Sequence, residues 1–163
     1  MQEYKIRRVL KLLGMLCCVI ELCSLHAQAA ADCSISTAGV AFGVYDALGG
    51  NRRDTIGTVI VTCTGNVGDS VSYSIALDTT GDQGVYRVMT NGTHQLNYLV
   101  FADNGYSQLW GDGSRGTIIV SDSYTMVTSQ TVHPYPMYGR IPAGQTRTSS
   151  GTYGGDISVT LIY

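Results

Sequence analysis

The feature that most constrains the fold is a series of short segments in which apolar and polar residues alternate. The clearest is VSYSIALD at 71–78, where Val71, Tyr73, Ile75 and Leu77 share one face. A period of two with β-branched and aromatic residues is typical of a strand with one buried face. No stretch after residue 30 keeps a helical period for three turns, so we predict a chain of strands and turns.

Further segments show the same preference and are separated by glycine-rich breaks. We predict strands at 57–63, 95–103, 116–122, 124–132, 136–141 and 156–163. Turn signals such as Asn91-Gly92 and Asp103-Asn104-Gly105 lie between them. Short strands at this spacing indicate a single antiparallel β-sandwich, with no helix longer than two turns in residues 33–163.

The last predicted strand, DISVTLIY, alternates strictly. One face carries Ile157, Val159, Leu161 and Tyr163, and the other carries Ser158, Thr160 and Ile162. The sequence has no polar tail after this strand. The pattern alone does not identify what lies beside this strand.

The first 29 residues have the composition of a secretory signal peptide. A basic start is followed by the apolar run LLGMLCCVIELCSL at 12–25, and Ala27 and Ala29 occupy the −3 and −1 positions of a cut before Ala30. The run is too short for a transmembrane span and Glu21 interrupts it. We therefore predict a cleaved signal peptide at 1–29 and one domain at 30–163 that is secreted through the inner membrane.

The predicted mature chain contains no Lys and no Glu. Its charged side chains are six Arg and ten Asp, which gives a net charge of −4. An acidic, lysine-free protein is a poor partner for nucleic acid or for an anionic membrane after signal cleavage. Such a low charge content suits a protein that assembles with others.

Cysteine use agrees with export. Three of the five cysteines lie in the signal segment, and the mature chain keeps Cys33 and Cys63. Two cysteines in an exported chain usually pair. A bridge here closes a loop of about 30 residues, for which chain entropy predicts a stabilisation of roughly 3 kcal/mol.

No residue pattern predicts catalysis or a cofactor. The mature chain has two histidines, His94 and His133, and no Cys or His pair at metal-ligand spacing. Gly68-Asp69-Ser70 resembles one lipase-type nucleophile signature, but it sits in a turn, and too few carboxylates converge on GDGSRG at 111–116 for calcium. We therefore assign no catalytic, cofactor-binding or metal-binding residue, and we expect Trp110 to be a core or hairpin anchor.

Several segments, in their order, resemble the spore coat protein U domain, which is shared with subunits of archaic, Csu-type chaperone–usher pili. The resemblance covers nearly all of 33–163. The segments are CSISTAGVAFGVYDAL (33–48), GTVIVTCT (57–64), YRVMTNGTHQLNYLVFADNGYSQLWGDG (86–113), YGRIPAGQ (138–145) and GTYGGDISVTLIY (151–163).

The resemblance implies an immunoglobulin-like β-sandwich that lacks one strand. A periplasmic chaperone first lends a strand to such a subunit, and the N-terminal segment of a neighbouring subunit then replaces it, with an usher as a further partner. On this interpretation, the strand that pairs with the chaperone or the neighbour contains Ile157, Val159, Leu161 and Tyr163. The protein is then a non-enzymatic structural subunit of a pilus or of a cell-surface or spore coat.

The sequence departs from the family pattern in two places. Residues 151–156 contain one residue more than the expected G-x-Y-x-D, which suggests a β-bulge. After the predicted cut, three residues precede Cys33, too few for a donor strand. We therefore expect a subunit that accepts a donor strand without giving one, as at the tip of a pilus.

Other readings stay open. The segment AGVAFGVYDAL at 38–48 could close the sheet internally. The protein could be a secreted adhesin or carbohydrate-binding module, with Trp110 and the tyrosines as contacts. A hydrolase would require Ser70, His94 or His133 within hydrogen-bond reach of an Asp.

Overall fold

The computed structural model describes residues 31–78 and 85–163. The predicted signal peptide at 1–29 lies outside the described residues. These ranges contain eight strands and no helix, as predicted. The strands are β1 (Asp32–Ala38), β2 (Arg53–Thr64), β3 (Ser70–Leu77), β4 (Arg87–Asn91), β5 (His94–Phe101), β6 (Val120–Thr125), β7 (Gln130–Ile141) and β8 (Val159–Ile162).

The strands form two antiparallel sheets. The first has the order β1-β2-β7-β5-β4 and the second the order β6-β3-β8. Buried apolar residues of both sheets form one core, in which Val59, Val61, Ile75, Tyr98 and Met137 are almost fully enclosed. The predicted all-β sandwich is therefore confirmed.

The alternation in the sequence matches the burial of the central strands. In β3 the residues Val71, Tyr73, Ile75 and Leu77 are all buried, whereas the residues between them are exposed or half-buried. Side chains on a strand point alternately to its two faces, so this pattern places one face of β3 against the first sheet.

A two-residue turn joins β4 to β5. Asn91 pairs with His94, and Gly92 has a φ of 59°. A positive φ at the first turn residue is required by a type II′ hairpin and is adopted most readily by glycine. The turn predicted at Asn91-Gly92 is therefore present.

Strand β7 is longer than predicted. The sequence pattern predicts one strand that ends at residue 132 and another that begins at Pro136, with Pro134 between them. In the structure β7 runs through both prolines and pairs with β2 along its whole length. The other neighbour, β5, pairs only with residues 138–140, so both ring nitrogens can face an edge that needs no hydrogen-bond donor.

The strand predicted at 116–122 begins later in the structure. Strand β6 begins at Val120, and residues 116–119 form a loop fastened to Trp110 by a single bridge from Ile118. Arg115 and Gly116 both have positive φ values, which an extended strand does not allow. The predicted strand at 124–132 is divided in the same way by a turn at 126–129.

The C-terminal strand is shorter than predicted. It spans four residues, and Ile157 and Tyr163 lie just outside it. The bulge expected at 151–156 is absent, because this segment contains no paired strand. Gly154 instead forms one antiparallel bridge with Thr90 at the outer edge of β4.

Candidate functional site

Strands β1 and β8 are edge strands of different sheets. Within the described residues, β1 pairs only with β2 and β8 pairs only with β3. Tyr163 donates a hydrogen bond of 3.1 Å to Asp32 Oδ1, which links the end of β8 to the start of β1. The two unpaired edges therefore border the same side of the sandwich.

An elongated groove lies between these edges. Its middle part has a volume of about 260 Å³ and is bordered by residues 37–40 on one side and 155–159 on the other. Its floor contains Tyr98 and Met137, which are 2% and 1% exposed. The groove therefore reaches the core of the sandwich.

A second cavity of about 720 Å³ continues the groove and shares Val40 and Met89 with the middle part. It is bordered by residues 40–48 and 148–153. Val44 and Leu48 are 88% and 85% exposed beside it. The groove thus combines a buried apolar floor with apolar residues on its rim.

The alternation predicted for the C-terminal strand holds for three of its four inward residues. Ile157, Val159 and Leu161 are half-buried and pack against the core. Tyr163 does not share this environment, because it is 65% exposed. On β1 the half-buried Ile35 also packs against the core, so apolar side chains approach the groove from both walls.

Residues 38–48 do not close this groove with a strand of their own. After Ala38 the chain has no regular structure up to residue 52. Phe42 is buried from this segment and contacts Tyr98 edge-on at 5.5 Å. The segment thus supplies a core side chain and leaves the edge of β1 unpaired.

The predicted disulfide is confirmed. Cys33 and Cys63 are directly opposite each other on β1 and β2, with Cα atoms 4.1 Å apart, and they are bonded. The bond fixes one end of β1 to its neighbour. One wall of the groove is therefore covalently attached to the sheet.

The other side of the sandwich is closed by polar contacts between β6 and β7. Tyr135 donates to Asp122 Oδ2 at 2.5 Å, and Tyr135 and Tyr73 hydroxyls lie 2.6 Å apart. The hydrogen bond from Tyr135 and the contact with His133 lower the pKa of Asp122, while burial and that same bond raise the pKa of Tyr135. Asp122 thus points inward from the edge strand β6, a placement that discourages strand addition.

His133 meets one of the conditions stated for a hydrolase. Its Nδ1 lies 3.2 Å from Asp122 Oδ2, and its ring stacks on Tyr124 at 4.5 Å. The described residues give it no hydrogen bond to a serine hydroxyl. Asp69 accepts a hydrogen bond from the amide of Asn66, as expected for a turn, so no nucleophile and base are assembled.

Trp110 is a core residue, as predicted. It is 2% exposed, and its Nε1 donates to the carbonyl oxygen of Ile75 at 3.0 Å. The buried guanidinium of Arg87 donates to the carbonyl oxygens of Asp78 and Trp110. Trp110 therefore cannot serve as an exposed contact for a ligand.

Gln145 has a role that the sequence pattern did not predict. Its Oε1 accepts from the amide of Asn97 at 2.8 Å, and its Nε2 donates to the carbonyl oxygen of Asn97 at 2.7 Å. The side-chain amide thus imitates a neighbouring strand where β7 no longer pairs with β5. Tyr45 fastens the same loop by donating to the carbonyl oxygen of Pro142 at 2.9 Å.

Two further features are absent from the part of the chain that the structure describes. No group of three or more His, Cys, Asp or Glu side chains could hold a metal ion there. None of its elements is a helix long and apolar enough to cross a membrane.

The fold is similar to that of a solved pilus protein. One chain of the crystal structure of the CsuC–CsuE chaperone–tip adhesion subunit pre-assembly complex, from the archaic chaperone–usher Csu pili of Acinetobacter baumannii, matches with a TM-score of 0.56 and 20% identity. The match covers 83% of this chain and 40% of that chain. The chain therefore spans less than half the length of this neighbour, and the likeness concerns the fold.

No curated protein matches the chain. The profile of the Spore Coat Protein U domain, however, matches residues 20–160, which is most of the sequence and includes both walls of the groove. This match indicates a structural, non-enzymatic protein. The chain belongs to the Spore Coat Protein U domain family.

Proposed function

We propose that this protein is a structural subunit of a chaperone–usher pilus or of a related surface coat, and that another polypeptide completes its sandwich by inserting an extended strand between β1 and β8. The single observation that carries this proposal is the groove. It lies between two unpaired strand edges and has Tyr98 and Met137 on its floor. An extended segment with alternating apolar residues is the ligand whose shape and hydrogen-bonding groups match such a site.

The other strand edges are less suited to strand addition than the side between β1 and β8. Strand β6 carries the inward-pointing Asp122, and the free half of β7 carries Pro134 and Pro136. Both are devices that discourage strand addition. The remaining edge strand, β4, carries the buried Arg87 and is bridged to Gly154 on its outer edge. Neither β1 nor β8 contains a proline or an inward-pointing charge, so we take these as the edges open to a partner.

An empty groove leaves apolar surface in contact with water. Burial of apolar surface is worth roughly 25 cal/mol per Å². A groove of a few hundred Å² would then account for several kcal/mol, against the ~5–15 kcal/mol stability of a whole domain. A protein of this kind needs protection until its partner arrives, which is the task of a periplasmic chaperone.

The expected partners are a periplasmic chaperone, an usher and other subunits. The neighbour structure supports the first of these, because it is described as a complex of a chaperone with a tip adhesion subunit before assembly. Export by a signal peptide cleaved after residue 29, with one domain at 30–163, belongs to the same proposal. So does pairing of the strand that contains Ile157, Val159, Leu161 and Tyr163 with the chaperone or the next subunit.

A position at the tip remains part of this proposal. It depends on cleavage before Ala30, which would leave too little chain before Cys33 to serve as a donor strand. The mass of the mature protein, isolated with its chaperone, measures the cleavage site. A cut far enough upstream to leave an alternating apolar segment before Cys33 would place the subunit inside the polymer.

The test is completion of the groove by a synthetic donor peptide. We expect the protein, purified after export, to gain melting temperature when a peptide with apolar residues at every second position is added. Mass action predicts about 2.7 kcal/mol of stabilisation at a concentration 100 times the Kd. A peptide of the same composition in scrambled order, without the alternation, is the control.

A matched pair of variants assigns the effect to the groove. Thr37 lines the groove. Its neighbour Ser36 lies on the opposite face of β1, and both residues are exposed. Thr37→Trp should fill the groove and abolish the thermal shift, and Ser36→Trp should leave it unchanged. If the untreated protein is stable and monomeric and neither peptide changes its melting, the sandwich needs no donor and the proposal is wrong.

A further inference from the structure

A polar cleft lies at the end of the first sheet, between the β4–β5 hairpin and the loop that follows β7. Its volume is about 500 Å³. Every residue that lines it is polar, apart from Gly144, and none is a carboxylate. This composition is unlike that of the groove, whose floor is apolar.

The cleft contains a cation without a partner. The side chain of Arg147 forms no ion pair or hydrogen bond with any residue in 31–78 or 85–163, and neither does the side chain of His94 beside it. By contrast, Arg140 and Arg52 both contact Asp54. In an acidic protein with ten Asp after residue 30, an unpaired arginine in a concave site is available to an anionic ligand.

The backbone of β5 adds a donor and an acceptor. Because successive residues of a strand direct their N–H and C=O groups to opposite sides, Gln95 presents these groups on the same side as Asn97. The groups of Asn97 are occupied by the side chain of Gln145. Gln95 pairs with Thr90 in the register of the hairpin and with no strand on its other side.

The same contact limits the shape of the ligand. The amide of Gln145 covers the strand edge at Asn97, so an extended peptide cannot continue along β5 past this residue. A compact ligand fits instead. Asn97 also lines the cleft, but its Oδ1 is buried and accepts no hydrogen bond from the described residues.

We propose that this cleft binds a carboxylate-bearing sugar residue. Arg147 forms the paired hydrogen bonds that a guanidinium makes with a carboxylate. The hydroxyls of the sugar meet the polar lining, including the backbone of Gln95, Thr93 and Thr148. No aromatic residue other than His94 lines the cleft, so recognition depends on charge and hydrogen bonds, which favours an acidic sugar over a neutral one.

This inference goes beyond the proposed function, since it requires no strand in the groove. The test measures binding of D-glucuronate to the exported full chain by NMR titration. We expect the amide resonance of Gln95 to shift, and D-glucose, which has the same ring without the carboxylate, to bind at least tenfold more weakly. Affinity should also fall as ionic strength rises, because the charges are near the surface.

Two arginine variants separate this site from a general charge effect. Arg147→Gln should weaken glucuronate binding at least tenfold, whereas Arg52→Gln, which removes an exposed arginine elsewhere, should leave it unchanged. Both variants should keep the wild-type melting temperature, and both should keep the response to the donor peptide. Failure of the sugar test therefore leaves the groove proposal intact, and failure of the donor-peptide test leaves the sugar proposal intact.

Three outcomes would overturn the inference. Inorganic phosphate that binds as tightly as glucuronate would make the cleft a site for small anions only. An acidic dipeptide that binds more tightly would make it a peptide site. Glucuronate binding that persists in Arg147→Gln, or that leaves the Gln95 amide unshifted, would place the sugar elsewhere.

Discussion

Arg87 stabilises the sandwich from within. It is 4% exposed, and burial lowers the pKa of its guanidinium, yet an arginine keeps its charge in proteins. The charge is tolerated because the guanidinium donates to two carbonyl oxygens, those of Asp78 and Trp110, at the end of β3 and beside β5. One side chain thus satisfies the backbone of two loops.

We therefore predict that Arg87→Met lowers the free energy of unfolding by about 3 kcal/mol. Methionine fills a similar volume, but both carbonyl oxygens lose their donor. Denaturant unfolding of the two proteins measures the difference. Arg147→Met, at a position without such contacts, should change stability by less than about 0.5 kcal/mol; equal losses in the two variants would contradict the role given to Arg87.

Gln145 provides a second prediction for a single side chain. Gln145→Ala should reduce stability by about 1–2 kcal/mol, because the backbone amide and carbonyl of Asn97 lose their partner. Hydrogen exchange at the Asn97 amide should become faster, while exchange at the Leu96 amide, which lies on the β4 side, should change less. Gln108→Ala is the control, since that side chain is exposed; unchanged exchange at Asn97 would contradict the assignment.

Neither role could be derived from the sequence. Gln145 and Asn97 are 48 residues apart, and Arg87 and Trp110 are 23 apart. Local patterning carries no information about such pairs. Cys33 and Cys63 are an exception at 30 residues apart, because the chemistry of two cysteines in an exported chain restricts their pairing.

Among the elements, strands that alternate in sequence were predicted well. β3 and β5 lie within one residue or two of the predicted 71–78 and 95–103. The sequence pattern breaks β7 between residues 132 and 136. It cannot show that Pro134 and Pro136 lie where this edge of β7 has no neighbouring strand. The groove followed only in part from the sequence, which indicated an unpaired last strand but could not locate β1 opposite it.

The contact between β6 and β7 predicts a dependence of stability on acid pH. The pKa of Asp122 is lowered in the folded protein, chiefly by the hydrogen bond from Tyr135. A lowered pKa contributes stability above the unfolded value of about 3.9, and this contribution is lost as the pH falls through the folded pKa. Asp122→Asn, which lacks the charge, should therefore be less stable than the wild type at pH 6.

Melting temperatures measured from pH 6 to pH 2.5 check this prediction. The difference between Asp122→Asn and the wild type should shrink below about pH 4. Asp54 also has a lowered pKa, through its hydrogen bond with Arg140 on the outer face. Asp54→Asn serves as the comparison, because it removes a carboxylate without touching the β6–β7 contact; a constant difference for Asp122→Asn would rule out the carboxylate as the cause.

The whole molecule has two unlike sides. One is closed by the hydrogen bonds among Tyr73, Tyr135 and Asp122, and the other is open between β1 and β8. The Cys33–Cys63 bond holds one wall of the open side in place. The disulfide-bonded wall therefore borders the place where, in our proposal, the last strand is supplied by another chain.

The prolines of β7 have a consequence for the kind of polymer this molecule can join. Pro134 and Pro136 lie on one free edge, Asp122 guards another, and Gly154 is bridged to Thr90 on the outer edge of β4, so in our proposal β1 and β8 are the edge pair that receives a strand. Each subunit then has one acceptor site for a donor strand. Under the proposed strand addition, such a unit terminates a chain if it has no donor strand and extends it if it has one, but it cannot create a branch point.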